Sequence, residues 1–143
     1  INAKIAATAR PVRTDIDACL DCDVEEIPIF MSTSRILLEY SIRKTVEASI
    51  EMLVDAVTYA RDHGVIVDFV AEDATRAYFD ELMKICEAAV SAGADKIALA
   101  DTLGIMRPTS MKYLVAKIRD ELNFRFNTAI MILDWQQQTP SRG

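Results

Sequence analysis

Two clusters of functional side chains stand in this chain, each directly behind a short apolar run. VIVDFVA at residues 65–71 leads into Glu72-Asp73-Ala74-Thr75-Arg76, and KIALA at 96–100 leads into Asp101-Thr102-Leu103-Gly104. In parallel α/β folds, polar residues at the carboxyl ends of strands handle ligands, because the loops there converge on one face. Two such clusters on consecutive strands point the same way more strongly than either alone. The spacing also leaves open a plainer role, in which Glu72, Asp73 and Asp101 only cap helices and close turns.

The elements that position these clusters follow from periodicity. Residues 5–9 form a short apolar run that reads as a strand, and Thr14 is placed to cap a short helix over 15–21. The next strand is 27–31, where Pro28 lacks a ladder donor, and Ser32-Thr33-Ser34 is its polar end. A helix over 43–63 buries Val46, Ile50, Leu53, Val54, Val57 and Ala60 at 3.6-residue spacing, and Gly64 ends it beside a helix-terminal His63. After the strand 65–71, a helix over 77–92 buries Phe79, Leu82, Met83, Cys86, Ala89 and Val90 and closes at Gly93. A strand at 96–100 is followed by a helix that starts at Pro108 and Thr109 and reaches Leu122. A last strand is expected at 128–133. Residues 1–133 then form one domain, and 134–143, with neither period, form a disordered tail.

This alternation gives about five parallel strands with right-handed helical crossovers. It fits a flavodoxin-like open sheet or five-eighths of a (β/α)8 barrel, and periodicity does not separate the two. No GxGxxG or GxxxxGK[ST] follows any strand, so the phosphate-cradling loop of a nucleotide-binding sheet is missing.

Of the 143 residues, 51% are hydrophobic and 27% charged, the composition of one soluble globular domain. No apolar run approaches the roughly 20 residues of a membrane span, and no secretory leader is visible at the start. With neither an initiator Met nor a leader, the chain is expected to begin in the middle of something. A net charge of −6 with scattered Lys and Arg argues against a nucleic-acid surface. Three cysteines without secretory features read as reduced thiols of a cytoplasmic protein. Cys19 and Cys22 form a CxxC with no second pair, whereas structural zinc takes four ligands, so small residues filling a helix end is the simpler account.

The run VDFVAEDATRAYFDELMKICEAAVSAGADKIALADTLGIMRP resembles the middle of the DRE-TIM metallolyase barrels, within them the isopropylmalate, homocitrate and citramalate synthases. Its V-x-F-x-x-E-D-A-x-R and A-G-A-D-x-I-x-x-x-D-T-x-G match motifs of that family. The upstream ATARPVRTDIDACLDCDVEEIPIFMSTS is similar to the family's A-x-x-R…DIDAA and F-x-x-T-S segments. The resemblance implies a partial TIM (β/α)8 barrel made of the family's third to seventh strands. It further implies a parent enzyme of amino-acid biosynthesis, a homo-oligomer that condenses acetyl-CoA with an α-keto acid on a divalent cation, Mg or Mn.

Carried over by motif, Glu72 resembles the catalytic strand-end glutamate. Thr102 resembles the hydroxyl, and Arg10 the third-strand arginine, that bind substrate. The family's D-x-T-x-R-D-G and H-x-H-N-D, which supply its metal ligands, have no counterpart in the sequence, so no metal ligand is assigned. The 143 residues alone are therefore expected to lack synthase activity. Pro28, Leu37, Val70 and Asp68 replace polar or basic residues of the family, which fits a small apolar keto acid or a chain that no longer turns over. Two alternatives remain: a truncated, non-catalytic interaction module, and the hydroxymethylglutaryl-CoA lyase branch of the same superfamily. Within the family reading, Asp73 and Arg76 are expected to hold the loop as an ion pair, and Asp101 to order its turn.

Overall fold

The computed structural model describes residues 3–122 and the backbone of 132–134. Among them, strands β1 (Glu26–Ser32), β2 (Ile66–Glu72), β3 (Lys96–Asp101) and β4 (Ile132–Asp134) pair in that order. All three pairings are parallel. Helices α1 (Arg13–Leu20), α3 (Val46–Asp62), α4 (Phe79–Ser91) and α5 (Pro108–Glu121) alternate with the strands. A short helix α2 (Arg35–Leu37) runs into a π-helical turn, Leu38–Ile42. The architecture is that of a partial (β/α)8 barrel. The tail expectation falls outside the described residues, apart from Asp134 at the end of β4.

Strand alternation sorts the side chains into two layers. Ile27, Ile29, Met31, Val67, Phe69, Ala71, Ile97 and Leu99 face the helices and share one core with Leu53, Val57, Leu82, Ile85 and Cys86. On the opposite face Val70, Ala98 and Ala100 pack with Phe30. Burial of the helix-facing set supplies the driving force for the fold, at about 25 cal/mol per Å² of apolar area.

The run at 5–9 touches the sheet only through isolated parallel bridges, Ala6 to Glu26 and Ala9 to Ile29. Pro28 explains the gap. Ala9 N–H donates to the Pro28 carbonyl and Phe30 N–H to the Ala9 carbonyl, so ladder alternation puts the missing Pro28 N–H opposite Ala7. There the Cys19 Sγ lies 3.6 Å from the Ala7 carbonyl oxygen instead.

Two helix starts differ from expectation. Thr14 lies inside α1, whose N-cap is Val12 without a side-chain cap. Asp15 in the first turn accepts the Arg10 N–H in its place. The helix expected from residue 43 starts at Val46, because Arg43 is left-handed (φ 55°) and Thr45 caps it by accepting the Ala48 N–H at 3.2 Å. His63 ends α3 as expected, its Nδ1 2.8 Å from the Tyr59 carbonyl oxygen.

Toward the amino ends of the strands, the inner face carries Glu26, Asp68 and Lys96. Lys96 Nζ donates to Glu26 at 2.8 Å and to Asp68 at 3.3 Å, while the buried Asp68 Oδ1 has no partner among the described residues. Burial and the neighbouring Glu26 push the Asp68 carboxyl up to about 7 against the pull of Lys96. An unfolded aspartate titrates near 4, so between roughly pH 4 and 7 the fold retains a proton that the unfolded chain releases. Stability from this group is therefore present at low pH and falls as pH rises through that window. Asp68→Asn is expected to remove that fall and to raise the urea midpoint at pH 8, by roughly 1 kcal/mol in stability. Equal midpoints for the two proteins at pH 5 and pH 8 would contradict it.

Cys86 is fully enclosed and its thiol is pushed up to about 12 by burial, and Cys19 is buried and raised for the same reason. Cys22 is exposed. Alkylation of the native protein is expected to modify Cys22 alone, with Cys19 and Cys86 reacting only in denaturant; mass mapping of the labelled peptides checks this.

Candidate functional site at the strand carboxyl ends

β1, β2 and β3 end at one level, and a chain of hydroxyl–carboxylate bonds joins each to the next. Ser32 Oγ donates to Glu72 Oε2 at 2.6 Å. Thr33 donates both its N–H and its hydroxyl to the Glu72 carbonyl, each at 2.9 Å. Ser34 Oγ donates to Asp73 Oδ2. Asp73 N–H donates to the Thr102 hydroxyl oxygen at 2.9 Å, and Thr75 Oγ1 donates to Asp101 Oδ1 at 2.9 Å. The parallel register that aligns Ser32 with Glu72 makes the first of these bonds possible.

The three strand-end carboxylates differ in what remains of their acceptor capacity. Asp73 is fully buried and left-handed (φ 58°), and Arg76 grips it through Nε and Nη2 at 2.7–3.0 Å. Asp101 is buried and accepts from Thr75 and from the Ile105 and Met106 N–H groups at 3.3 and 2.9 Å, which closes the turn after β3. Both perform the ordering roles expected of them. Glu72 is half-buried, and only its Oε2 is engaged; Oε1 has no hydrogen-bond partner among the described residues.

Glu72 opens on a cleft of about 500 Å³ whose polar lining also includes Arg10, Ser32, Ser41 and Ser49. Arg10 stands at the mouth, its side chain 76% exposed, and chelates Asp15 through Nε and Nη2 at 2.7 and 2.9 Å. That pairing holds the Asp15 carboxyl below its ordinary range. Two expected site residues, Glu72 and Arg10, thus share one cleft. Thr102 does not line it; its hydroxyl oxygen supports the Asp73 backbone on the β3 side. Asp68 sits four positions before Glu72 on the same strand face, engaged by Lys96 rather than by the cleft.

Ser32 and Ser34 were legible only as a polar strand end, and their carboxylate partners emerge from the register. Ser41 and Ser49, from the π-helical turn and α3, carried no sequence signal at all. Among the described residues, no group of three or more His, Cys, Asp or Glu side chains converges.

A parallel sheet with its helix core on one face, a smaller apolar cluster on the other and a cleft at its strand carboxyl ends fits part of an α/β barrel. The HMGL-like family model matches residues 1–132, and the chain belongs to that family, the DRE-TIM barrels. The chain is 42% identical over 122 residues to a 2-isopropylmalate synthase of Methanocaldococcus jannaschii, covering 85% of this chain and 24% of that protein. It is 43% identical over 120 residues to the homocitrate synthase AksA of Methanopyrus kandleri, covering 84% of this chain and 30% of that one. It spans less than a third of the length of these relatives. Among solved structures, a hydroxymethylglutaryl-CoA lyase of Bacillus subtilis superposes with a TM-score of 0.73 at 20% identity, covering 90% of this chain and 45% of that one. At that identity the likeness speaks for the fold alone. Among the described residues, no helix is long and apolar enough to cross a membrane.

Proposed function

We propose that this chain is the Glu72-bearing part of a synthase that condenses acetyl-CoA with a 2-oxo acid. The observation that carries the reading is that Glu72 lines the cleft with its Oε1 unbonded among the described residues, while Asp73 and Asp101 are consumed by the scaffold. The identity to synthases of this kind supports the chemistry over the lyase branch, whose likeness is in fold.

In this reading the Ser32 hydroxyl fixes one Glu72 oxygen, and the other accepts a proton or a hydroxyl hydrogen bond from the reacting molecule. Arg10 retains the Nη1 donors that Asp15 does not use and can meet one carboxylate at the cleft mouth. Thr102, which accepts the Asp73 N–H, acts through the Asp73 loop. A divalent cation, as this family uses, would polarise the keto group; no set of ligands for it is present among the described residues. A soluble, cytoplasmic homo-oligomer is the setting such an enzyme would have.

The test is a chimera in which this chain's matched 122 residues replace those of the Methanocaldococcus 2-isopropylmalate synthase. Thiol release from acetyl-CoA that depends on an added 2-oxo acid is the expected result. A folded chimera with no such release for 2-oxoisovalerate, pyruvate or 2-oxoglutarate would refute the proposal.

A further inference from the structure

We infer that the cleft beside Glu72 selects a 2-oxo acid with an uncharged, apolar side chain, and that Met52 and Ile42 set this preference. The inference rests on the function proposed above and adds to it which class of 2-oxo acid the chain accepts.

The cleft leads from Glu72 outward toward α3. Its apolar wall consists of Pro11, Val12, Phe30, Met31, Ile42 and Met52. Its polar groups are largely spent: the Ser32 hydroxyl on Glu72, and the Ser49 hydroxyl on the Thr45 carbonyl at 2.9 Å. Arg10 is the sole cation among the described lining residues, and Asp15 already occupies two of its nitrogens. One carboxylate, the C1 group common to every 2-oxo acid, can be met at the mouth by the remaining Nη1.

A second carboxylate on the side chain would lie against methionine and isoleucine, near Glu72, with no further cation to pair with among the described lining residues. An unpaired buried charge is strongly disfavoured, whereas an apolar substituent gains from leaving water. Met52 on α3 and Ile42 at the end of the π-helical turn form the part of the wall contributed by these two elements, and both are partly buried. An unbranched thioether accommodates side chains of differing shape, so the discrimination is by charge more than by size.

The experiment uses the 143-residue chain labelled with 13C at its methionine methyl groups, titrated separately with 2-oxoisovalerate, 2-oxoglutarate and isovalerate. The expected result is that 2-oxoisovalerate moves the Met31 and Met52 resonances and binds at least about tenfold more tightly than 2-oxoglutarate. Met52→Lys supplies the missing cation and is expected to reverse the order, with 2-oxoglutarate bound more tightly. Equal affinity for the two oxo acids, or shifts that spare both Met31 and Met52, would overturn the inference. Isovalerate lacks the keto oxygen. If, in the chimeric synthase with Mg²⁺ added, it binds as tightly as 2-oxoisovalerate, the proposed function fails while the apolar selectivity is upheld.

Discussion

Asp73→Ala is expected to cost about 3–5 kcal/mol of stability, the largest loss of any polar substitution near the site. Asp73 is fully buried. Its carboxylate accepts from Arg76 and Ser34, and its N–H donates to Thr102. Alanine would strand the Ser34 hydroxyl, itself 1% exposed, and leave without its ion pair the Arg76 side chain, which is 32% exposed. It would also have to hold φ 58°, a left-handed conformation that asparagine and aspartate tolerate better than alanine. Asp73→Asn keeps an acceptor for Ser34 and the tolerance of that backbone, and loses the charge and the second acceptor that Oδ1 offers to Arg76 Nε. Its loss should be about half that of alanine. Urea unfolding of the three proteins orders them wild type, Asn, Ala; an alanine variant as stable as wild type would mean that the strand-end network does not hold the loop.

That network explains why some of the fold was legible in the sequence and some was not. Helical and strand periodicity placed α4, α5, β2 and β3 within one or two residues, because each buries a continuous apolar stripe. The Asp73–Arg76 pair is local, three residues apart on a turn, and so could be read from spacing. Ser32–Glu72, Ser34–Asp73 and Thr75–Asp101 join residues 40, 39 and 26 positions apart. Their meeting depends on parallel register, which a sequence without turn-defined hairpins does not specify.

The segment from Arg35 to Arg43 is illegible in the sequence for a different reason. It is a short helix and a π-helical turn with no side-chain cap at either start, and it is stopped by a left-handed arginine rather than a glycine. Neither signal has a sequence signature. What holds the segment is tertiary: Arg35 chelates Glu81 at the start of α4, with its guanidinium 4.6 Å from the Tyr78 ring centre. Because this turn supplies Ser41 and Ile42 to the cleft, the cleft's shape was also out of reach. The family motif, by contrast, pointed to Glu72 and Arg10 together, and both line the cleft.

Glu72 carries the account. Glutamine is nearly isosteric, and it retains an oxygen that can accept the Ser32 hydroxyl, so the strand end should survive the change. What glutamine lacks is the ability to take up a proton at the position of Oε1. Removing a general base or acid typically costs about 10²–10⁴ in rate, and a fall of that size in the turnover number, with substrate binding little changed, is the expected signature. Asp101→Asn, in a carboxylate already committed to Thr75 and the turn, should act through stability instead.

The measurement that tests this most directly is 2-oxo-acid-dependent thiol release by the chimeric synthase with and without Glu72→Gln, at matched folded concentration. The account predicts a loss of at least about a hundredfold for the glutamine variant. Turnover within a few-fold of the parent chimera would contradict it, and Glu72 would then join Asp73 and Asp101 as part of the scaffold.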